Sequence, residues 1–517
     1  MSNSSPSDPS SPPDVLQPKK LSFSTKLAYG AGDMGAGITA TLLAFSLLIF
    51  LTNVAGLNPG LAGRVLLIGK IWDAINDPIV GVLSDRTRSR WGRRHSWMIL
   101  GAIPFGIFFF LQWIVPHFSN NPDLNQLGLF WYYVIVSILF NTAFTAINLP
   151  YTALTAELTK DYNERTSLNS FRFAFSIGGS ILCLALGQAI FQIKAIPGDT
   201  QKYLVLALIC TILSVLPIYW CVWGTNDPTA ANVETLHETS PPETSLPETS
   251  PPETSLPETS LPEISPPETS DSVESIPFVK QVKIALTNKP FLYVIGIYLC
   301  SWLAFQLTAA IIPYFLVNWM RQDSYFTAAL VVQTVALIML FVWNLVSRRI
   351  GKRGVYFLGM SLWIVAEAGL FFLQRDQVGL MYVLFVMAGF GIATAYLVPW
   401  SMLPDVIELD ELKTGQRREG IFYAFMVLLQ KIGLAFGLWL VGEALARSGF
   451  ITAQPGQPLP EQPEAALFAI RFVVGPLPTL FLICGLILAY LYPITREVHA
   501  EILLKLQERN LRGGSGE

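Results

Sequence analysis

Lys70-Ile71-Trp72-Asp73-Ala74-Ile75-Asn76-Asp77-Pro78 lies inside a stretch that is otherwise long and apolar. Asp73 and Asp77 are four residues apart, so a helix puts both carboxylates on one face, a turn apart. Lys70, three residues before Asp73, falls on the same stripe. A carboxylate near the bilayer centre costs on the order of 3 kcal/mol on insertion scales, so two in one helix call for a compensating role. A bound cation is the simplest compensation. A structural Lys70–Asp73 ion pair is the plain alternative.

The rest of the chain reads as membrane protein. Of 517 residues, 52% are apolar and only 14% charged, and mean hydropathy is +0.46, outside the range of ordinary soluble domains. Apolar runs of about 20 residues, each long enough to cross a hydrocarbon core, recur along it. Spans are expected at 27–54, 61–83, 96–116, 128–156, 171–193 and 203–223, then at 291–318, 325–346, 355–374, 379–404, 421–446 and 466–492. The expectation is an all-α membrane protein with 12 transmembrane helices in two sets of six.

The formal net charge of −3 says little about partners, because distribution matters more than the sum. Basic residues gather in alternate connections: Arg86, Arg88, Arg90, Arg93 and Arg94 after the second span, and Arg348, Arg349, Lys352 and Arg353 after the eighth. The opposite connections, such as 53–60 and 117–128, contain no Lys or Arg. The positive-inside rule then puts both termini and the middle linker in the cytoplasm of a multi-pass protein of the plasma (inner) membrane. The first 19 residues lack the pattern of a secretory signal peptide. The five cysteines fall in or beside apolar spans and read as packing residues rather than disulfides or metal ligands.

Five regions are expected: a disordered N-terminus (1–25), a six-helix bundle (26–224), a disordered linker (225–284), a second six-helix bundle (285–494) and an amphipathic cytoplasmic tail (495–517). The linker repeats Pro-Pro-Glu-Thr-Ser-Leu-Pro-Glu-Thr-Ser from about Pro241, a composition that cannot bury a core. The tail places Ile502, Leu503 and Leu506 at helical spacing, as in a short amphipathic helix on the cytoplasmic surface. The halves also repeat one another. Pro150-Tyr151-Thr152-Ala153-Leu154 with Glu157 parallels Pro399-Trp400-Ser401-Met402-Leu403 with Asp405, each at the cytoplasmic end of the fourth span of its half. Parallel six-helix repeats joined by a long cytoplasmic loop are the plan of the major facilitator fold, whose substrate site lies between the halves.

Lys26-Leu27-Ala28-Tyr29-Gly30, Ile71-Trp72-Asp73-Ala74-Ile75-Asn76-Asp77-Pro78 and Arg88-Ser89-Arg90-Trp91-Gly92-Arg93 together resemble the glycoside–pentoside–hexuronide:cation symporters, typified by the melibiose permease. Arg418-Glu419-Gly420-Ile421 and Gln430-Lys431 extend the match, and Pro399-Trp400-Ser401-Met402-Leu403-Pro404-Asp405-Val406 also resembles the sodium-dependent lysophospholipid symporter branch. The resemblance implies a cation site at Asp73, Asn76, Asp77 and Thr145, all oxygen-bearing and suited to a hard monovalent ion. Sodium is the expected coupling ion, with Li⁺ or H⁺ as alternatives, no transition metal and no cofactor.

At the positions that hold sugar in the family, this chain departs from it. The acidic position on the first helix corresponds to Gly37, the carboxylate of the fourth to Asn148, and the stacking Trp one turn later to Thr152. Asp33, a turn from Gly37, is a partial substitute or a helix-end charge. Asn148 can still donate and accept. Tyr396 matches an aromatic position of the tenth helix, and Arg172 and Lys431 match functional basic positions. Lys431 should face the central cavity, there to balance Asp73 and Asp77 or meet an anionic substrate group. Arg172 has pairing with Glu157 as its structural alternative. Arg88, Arg90, Arg93, Glu157 and Asp405 are expected to bracket the cytoplasmic gate, whereas Glu367 and Glu443 have no assigned role.

These residues point to a cation-coupled symporter of a glycoside or related small solute, with a lysophospholipid or amphiphile as the alternative. A monomer in the lipid bilayer, without a nucleic-acid partner, is expected. A non-transporting receptor or scaffold would have no need of Asp73, Asp77, Arg172 and Lys431. An enzyme is not expected, since the sequence shows no Gly-x-x-x-x-Gly-Lys loop and no catalytic triad or metal-ligand spacing stands out.

Overall fold

Asparagine followed by proline opens two of the helices. Asn58 accepts a hydrogen bond from the Gly60 N–H at 2.9 Å, and Asn121 accepts from Asp123 at 3.0 Å and Leu124 at 3.3 Å. In both, proline occupies a first-turn position where no N–H is needed. The computed structural model describes residues 21–159, 161–225, 278–416, 418–452 and 460–513.

The first membrane crossing is assembled from pieces. Helices α1 (Phe23–Ala31) and α2 (Met34–Leu42) are separated by a turn at Gly32 and Asp33, and two π-helical turns, Leu43–Leu47 and Phe50–Val54, complete the passage. Then follow α3 (Pro59–Arg86), α4 (Arg93–Leu111), α5 (Pro122–Leu158), α6 (Tyr162–Gln192) and α7 (Asp199–Gly224). The second half begins with α8 (Phe278–Thr287) and α9 (Lys289–Tyr314) and continues through α10 (Phe326–Phe372), α11 (Val378–Thr414) and α12 (Glu419–Arg447). Helices α13 (Glu464–Val474) and α14 (Pro476–Leu491) form the last crossing, followed by α15 (Arg496–Gly513).

Among the described residues, nine stretches are long and apolar enough to cross a bilayer. One of them, α10, is two helices in series, because Gly351 within it has φ 77°. The broken first crossing and the charge-bearing α3 stand outside the nine and bring the count to twelve. Boundaries differ modestly from the hydropathy reading. Helix α11 runs ten residues past the expected end at 404, because Asp405 and Asp410 are paired with cations and the helix need not stop where apolar sequence stops.

Helices α1–α7 pack mainly with one another, as do α9–α14. Across the halves, α3 runs against α12 and α6 against α10. Glycine permits the first of these contacts: a Cβ on Gly442 would lie 2.6 Å from the Pro59 carbonyl oxygen and 2.8 Å from the Gly63 Cα. At the same end of the bundle, Tyr203 and Tyr325 share a hydrogen bond of 2.9 Å, and Tyr325 donates to Ser46 at 2.7 Å. Thr52 and Tyr314 lie 2.7 Å apart, and Ser324 donates to Gln188 at 3.0 Å. These four links seal the end of the molecule opposite the Arg-rich loops.

The Arg-rich loops themselves repeat. Arg90-Trp91-Gly92-Arg93-Arg94 and Arg349-Ile350-Gly351-Lys352-Arg353 each turn on a glycine with positive φ, 87° at Gly92 and 77° at Gly351. Arg93 and Arg94 pair with Glu157 on α5 at 2.5 and 2.9 Å. In the second half, Lys352 pairs with Asp405 on α11 at 2.7 Å.

Most of the expected linker and residues 1–20 lie outside the described residues. Helix α8 starts inside the stretch read as linker, where Val279, Val282 and Leu286 give the sequence helical spacing again. The tail is helical, but Ile502 and Leu506 are 4% and 8% exposed. They pack on protein, with His499 on Glu408 at 2.6 Å and Arg509 on the Glu411 carbonyl at 3.0 Å. These contacts dock the helix of the tail beneath α11.

Candidate functional site

Three consecutive turns of α3 are strapped to α5. Lys70 donates to Asn141 at 3.1 Å, Trp72 donates to Thr142 at 2.8 Å, and the Thr145 hydroxyl donates to Asp73 at 3.2 Å and Asp77 at 3.1 Å. The opposite stripe of α3, Ile71, Ile75, Ile79 and Val82, is exposed and apolar, so the helix presents hydrocarbon outward and oxygen inward.

Into this oxygen cluster comes Lys431, from the middle of α12 in the other half. Its Nζ lies 2.5 Å from Asp77 Oδ2 and 3.0 Å from Asp73 Oδ2. Lys70 sits farther off, 3.7 Å from Asp73. The dominant internal cation is therefore Lys431 rather than the sequence neighbour. Asp73 and Thr145 are buried, whereas the side chains of Asp77 and Lys431 keep 25% and 20% exposure, so water and small ions can reach the cluster. Asn76 is 4% exposed, and its Nδ2 has no hydrogen-bond partner among the described residues. That group is an N–H₂ donor, with capacity left for an acceptor rather than for a cation. Two carboxylates and a hydroxyl converge on a position now spanned by an ammonium group.

The remaining expected residues divide into several groups. Asp33, 5% exposed, receives Arg172 at 3.2 Å, and the Arg172 guanidinium also lies over the Tyr151 ring at 5.7 Å. Asp33 and Arg172 thus satisfy each other within the first half. The alternative pairing of Arg172 with Glu157 is corrected, since Glu157 is taken by Arg93 and Arg94. Thr152 donates to the Leu149 carbonyl of its own helix at 2.9 Å. Asn148 is half-buried with no side-chain partner among the described residues. Tyr396 meets Trp302 and Phe305 edge-on, at 5.8 and 5.6 Å between ring centres. Trp400 extends this aromatic wall, meeting Tyr298 at 5.8 Å and Tyr423 at 6.1 Å. Arg88 and Arg90 are exposed in their loop, with Arg90 over the Trp91 ring.

At Gly37 the structure gives the reason for a missing carboxylate. A Cβ there would land on the Ser176 carbonyl oxygen of α6. Helices α2 and α6 touch backbone to backbone, and no side chain of any kind fits between them.

Sequence reasoning left Glu367 without a role. It is fully buried and accepts from Thr308 at 2.9 Å and Trp363 at 2.7 Å, a bridge between α9 and α10. The sealing hydroxyls Ser46, Thr52, Tyr203, Tyr314 and Tyr325 were also missed, because Ser, Thr and Tyr barely disturb a hydropathy pattern. All five cysteines are free thiols.

Comparison with known proteins accords with this architecture. The family model described as MFS/sugar transport protein matches residues 28–246 and 259–496. An uncharacterized symporter of Synechocystis sp. is 50% identical over 96% of this chain and 98% of its own. The sodium-dependent lysophosphatidylcholine symporter 1 of Mus musculus is 27% identical over 93% of this chain and 88% of its own. Among solved structures, the inward-open xylose transporter of E. coli superposes with TM-score 0.58 at 15% identity, covering 94% of this chain and 99% of that one. An inward-facing bacterial homolog of the human lysosomal transporter Spinster gives TM-score 0.63 at 13% identity, covering 93% and 97%. At such identities these two speak for the fold alone. With twelve crossings in two halves and a family match over most of its length, the chain belongs to the MFS/sugar transport family, as a multi-pass membrane transporter of the symporter class rather than an enzyme.

Proposed function

We propose that this protein is a sodium-coupled symporter, and that its cargo is an amphiphile of the lysophospholipid class. The observation that carries the coupling is the Lys431 ammonium resting between Asp73 and Asp77. A sodium ion and Lys431 would compete for the same oxygens. When Na⁺ takes the carboxylates, Thr145 and Asn76, Lys431 is released into the space between the halves, where it can meet an anionic group on the cargo. Ion binding thereby prepares cargo binding, and the reverse holds by linkage. The gradient supplies about 2.3 kcal/mol per charge per 100 mV, besides its concentration term.

The amphiphile class is supported by the absence of room for a carboxylate at Gly37, the neutralisation of Asp33 by Arg172, and the aromatic wall of Trp302, Phe305, Tyr396 and Trp400. The lysophosphatidylcholine symporters among the relatives point the same way. A glycoside is the second reading, favoured by the partnerless amide of Asn148 and by the family description. The Arg-rich loops and both termini would face the cytoplasm. The sealed end would then face outward, and the structure would be the inward-open state of an alternating-access cycle.

The test is uptake into proteoliposomes of labelled lysophospholipids and glycosides, with Na⁺, Li⁺, H⁺ or choline outside. Lysophospholipid uptake that needs Na⁺ is expected, and Asp77→Asn should abolish the Na⁺ stimulation while the protein still inserts. Strict Na⁺ independence would overturn the coupling, and uptake of glycosides alone would overturn the cargo class.

A further inference from the structure

Within two turns of the end of α10 at the sealed side, Glu367 is a carboxyl with 0% exposure. Its Oε1 accepts from Thr308 and Trp363. Its Oε2 has no hydrogen-bond partner among the described residues and is closed to solvent. No cation among the described residues pairs with it. Helix α9 offers only the Thr308 hydroxyl, while α11 and the first turns of α10 line the space beside it with apolar side chains. The break between α13 and α14 also packs here, since a Cβ on Gly475 would lie 2.8 Å from the Glu367 carbonyl oxygen. The cation of α13, Arg471, is turned to the Phe371 carbonyl at 3.0 Å and the Trp319 ring at 4.5 Å.

Ionised, this carboxyl would be an unpaired charge in apolar surroundings with one oxygen bare, a costly state. With a proton on Oε2 the charge is gone, and a single unmet hydrogen bond remains.

Glu367 also lines a closed cavity of about 20 Å³, room for about one water. Helices α9, α10 and α11 of the second half form most of its wall, and Phe45 of the first half completes it. Phe45 precedes Ser46, which accepts from Tyr325, and Ala328 and Ala329 in the wall follow Tyr325 by one turn. The cavity therefore lies directly behind the seal, and Phe45 leaves with the first half when the halves part. Water then reaches the space beside Glu367, whereas the closed seal keeps its oxygens dry.

We propose that Glu367 is a proton-binding site that gates the sealed end: the halves close over it only when its carboxyl carries a proton. Closing takes one proton from water onto Oε2, and opening returns it to water on the same side. With the seal closed Glu367 has no aqueous path to the Arg-rich end, so this proton is not a co-transported ion. The proposal rests on the alternating-access reading above, but on neither its ion nor its cargo. Because the closed state holds one proton more than the open state, rising pH should shift the ratio toward open by up to about tenfold per unit.

The experiment places spin labels on Asn120 and Asp376, exposed at the sealed end in opposite halves, in the full-length protein in lipid nanodiscs. Distances are read from about pH 5 to about pH 9 in the parent and in Glu367→Gln, which keeps the shape without the charge. The long-distance population should grow with pH in the parent and stay flat in Glu367→Gln. Tyr325→Phe, which removes two sealing bonds, added to both proteins brings a small open population into range. An open population that responds equally to pH with Glu367 and with Gln would overturn the gate alone. Absence of an open population in all four proteins would overturn the rocking, and the gate with it. Thermal melts give an independent check should the Gln variant rock poorly. Unfolding releases the proton to water, so the parent should lose melting temperature relative to Glu367→Gln as pH rises. A difference that does not vary with pH would show Glu367 ionised in the folded protein and overturn the proposal.

Discussion

Lys431 is the residue on which the cation site turns. A lysine in a membrane helix is costly alone, and so are Asp73 and Asp77, yet together they form a compact cluster with Thr145. Removing one partner of such a cluster leaves the others uncompensated, at a cost on the order of 3 kcal/mol. Lys431→Gln should therefore lower the melting temperature in choline chloride. Its two freed carboxylates should in turn bind Na⁺ more tightly, so NaCl should stabilise the variant more than the parent. Thermal melts in matched NaCl and choline chloride measure both effects, and equal salt responses in the two proteins would show that Lys431 and the ion do not compete. Gly37 teaches the converse lesson. Gly37→Asp introduces the acidic residue that the resemblance to the sugar:cation symporters implies for this position, but its side chain would collide with the Ser176 carbonyl. The expected outcome is a loss of folded protein by size-exclusion chromatography, with no gain of glycoside uptake.

Elements carry the closure of the sealed end. Helices α3 and α12 cross on Gly63 and Gly442, where a Cβ added to Gly442 would lie 2.8 Å from the Gly63 Cα. Gly442→Leu would wedge them apart at that point while leaving Lys431, three turns away, free to move. A cysteine introduced at Ser46, fully buried in the seal, should then react with a membrane-impermeant maleimide several-fold faster than in the parent background. Unchanged labelling would show that the seal does not depend on this crossing. The same crossing marks the limit of what the sequence makes legible. Hydropathy and positive charge locate the crossings and their alternation, because each must satisfy the bilayer on its own. The Asp73/Asp77 spacing brings the cation-site residues to one helix face, and Thr145 was named with them through family resemblance. Helix partners depend on surface shape: Gly63 against Gly442 across the halves and Gly37 against Ser176 within the first look like any other glycine in an apolar run. The union of Asp33 with Arg172 was hidden for a related reason, since 139 residues separate them.

For the whole molecule, the distribution of bonds says which contacts persist and which are exchanged. Arg93 and Arg94 with Glu157, and Lys352 with Asp405, each stay within one half, at matching places after Gly92 and Gly351. They brace the halves as rigid bodies. The bonds Tyr203–Tyr325, Tyr325–Ser46 and Thr52–Tyr314 join the halves, and rocking must break them. Tyr325 sits in two of the three, and a buried hydrogen bond is worth about 1 kcal/mol net. Tyr325→Phe removes both, and it leaves the Tyr203 and Ser46 hydroxyls unpaired in the sealed state but hydrated once that end opens. The sealed state should lose about 2 kcal/mol relative to the open one, which moves the population ratio by a factor between ten and one hundred. Spin labels on the exposed loop residues Asn120 and Asp376, one in each half, report that ratio through the distance between them. A long-distance population should appear or grow in Tyr325→Phe. It should not in Glu157→Gln, where the broken ion pairs lie within one half and no bond across the seal is touched.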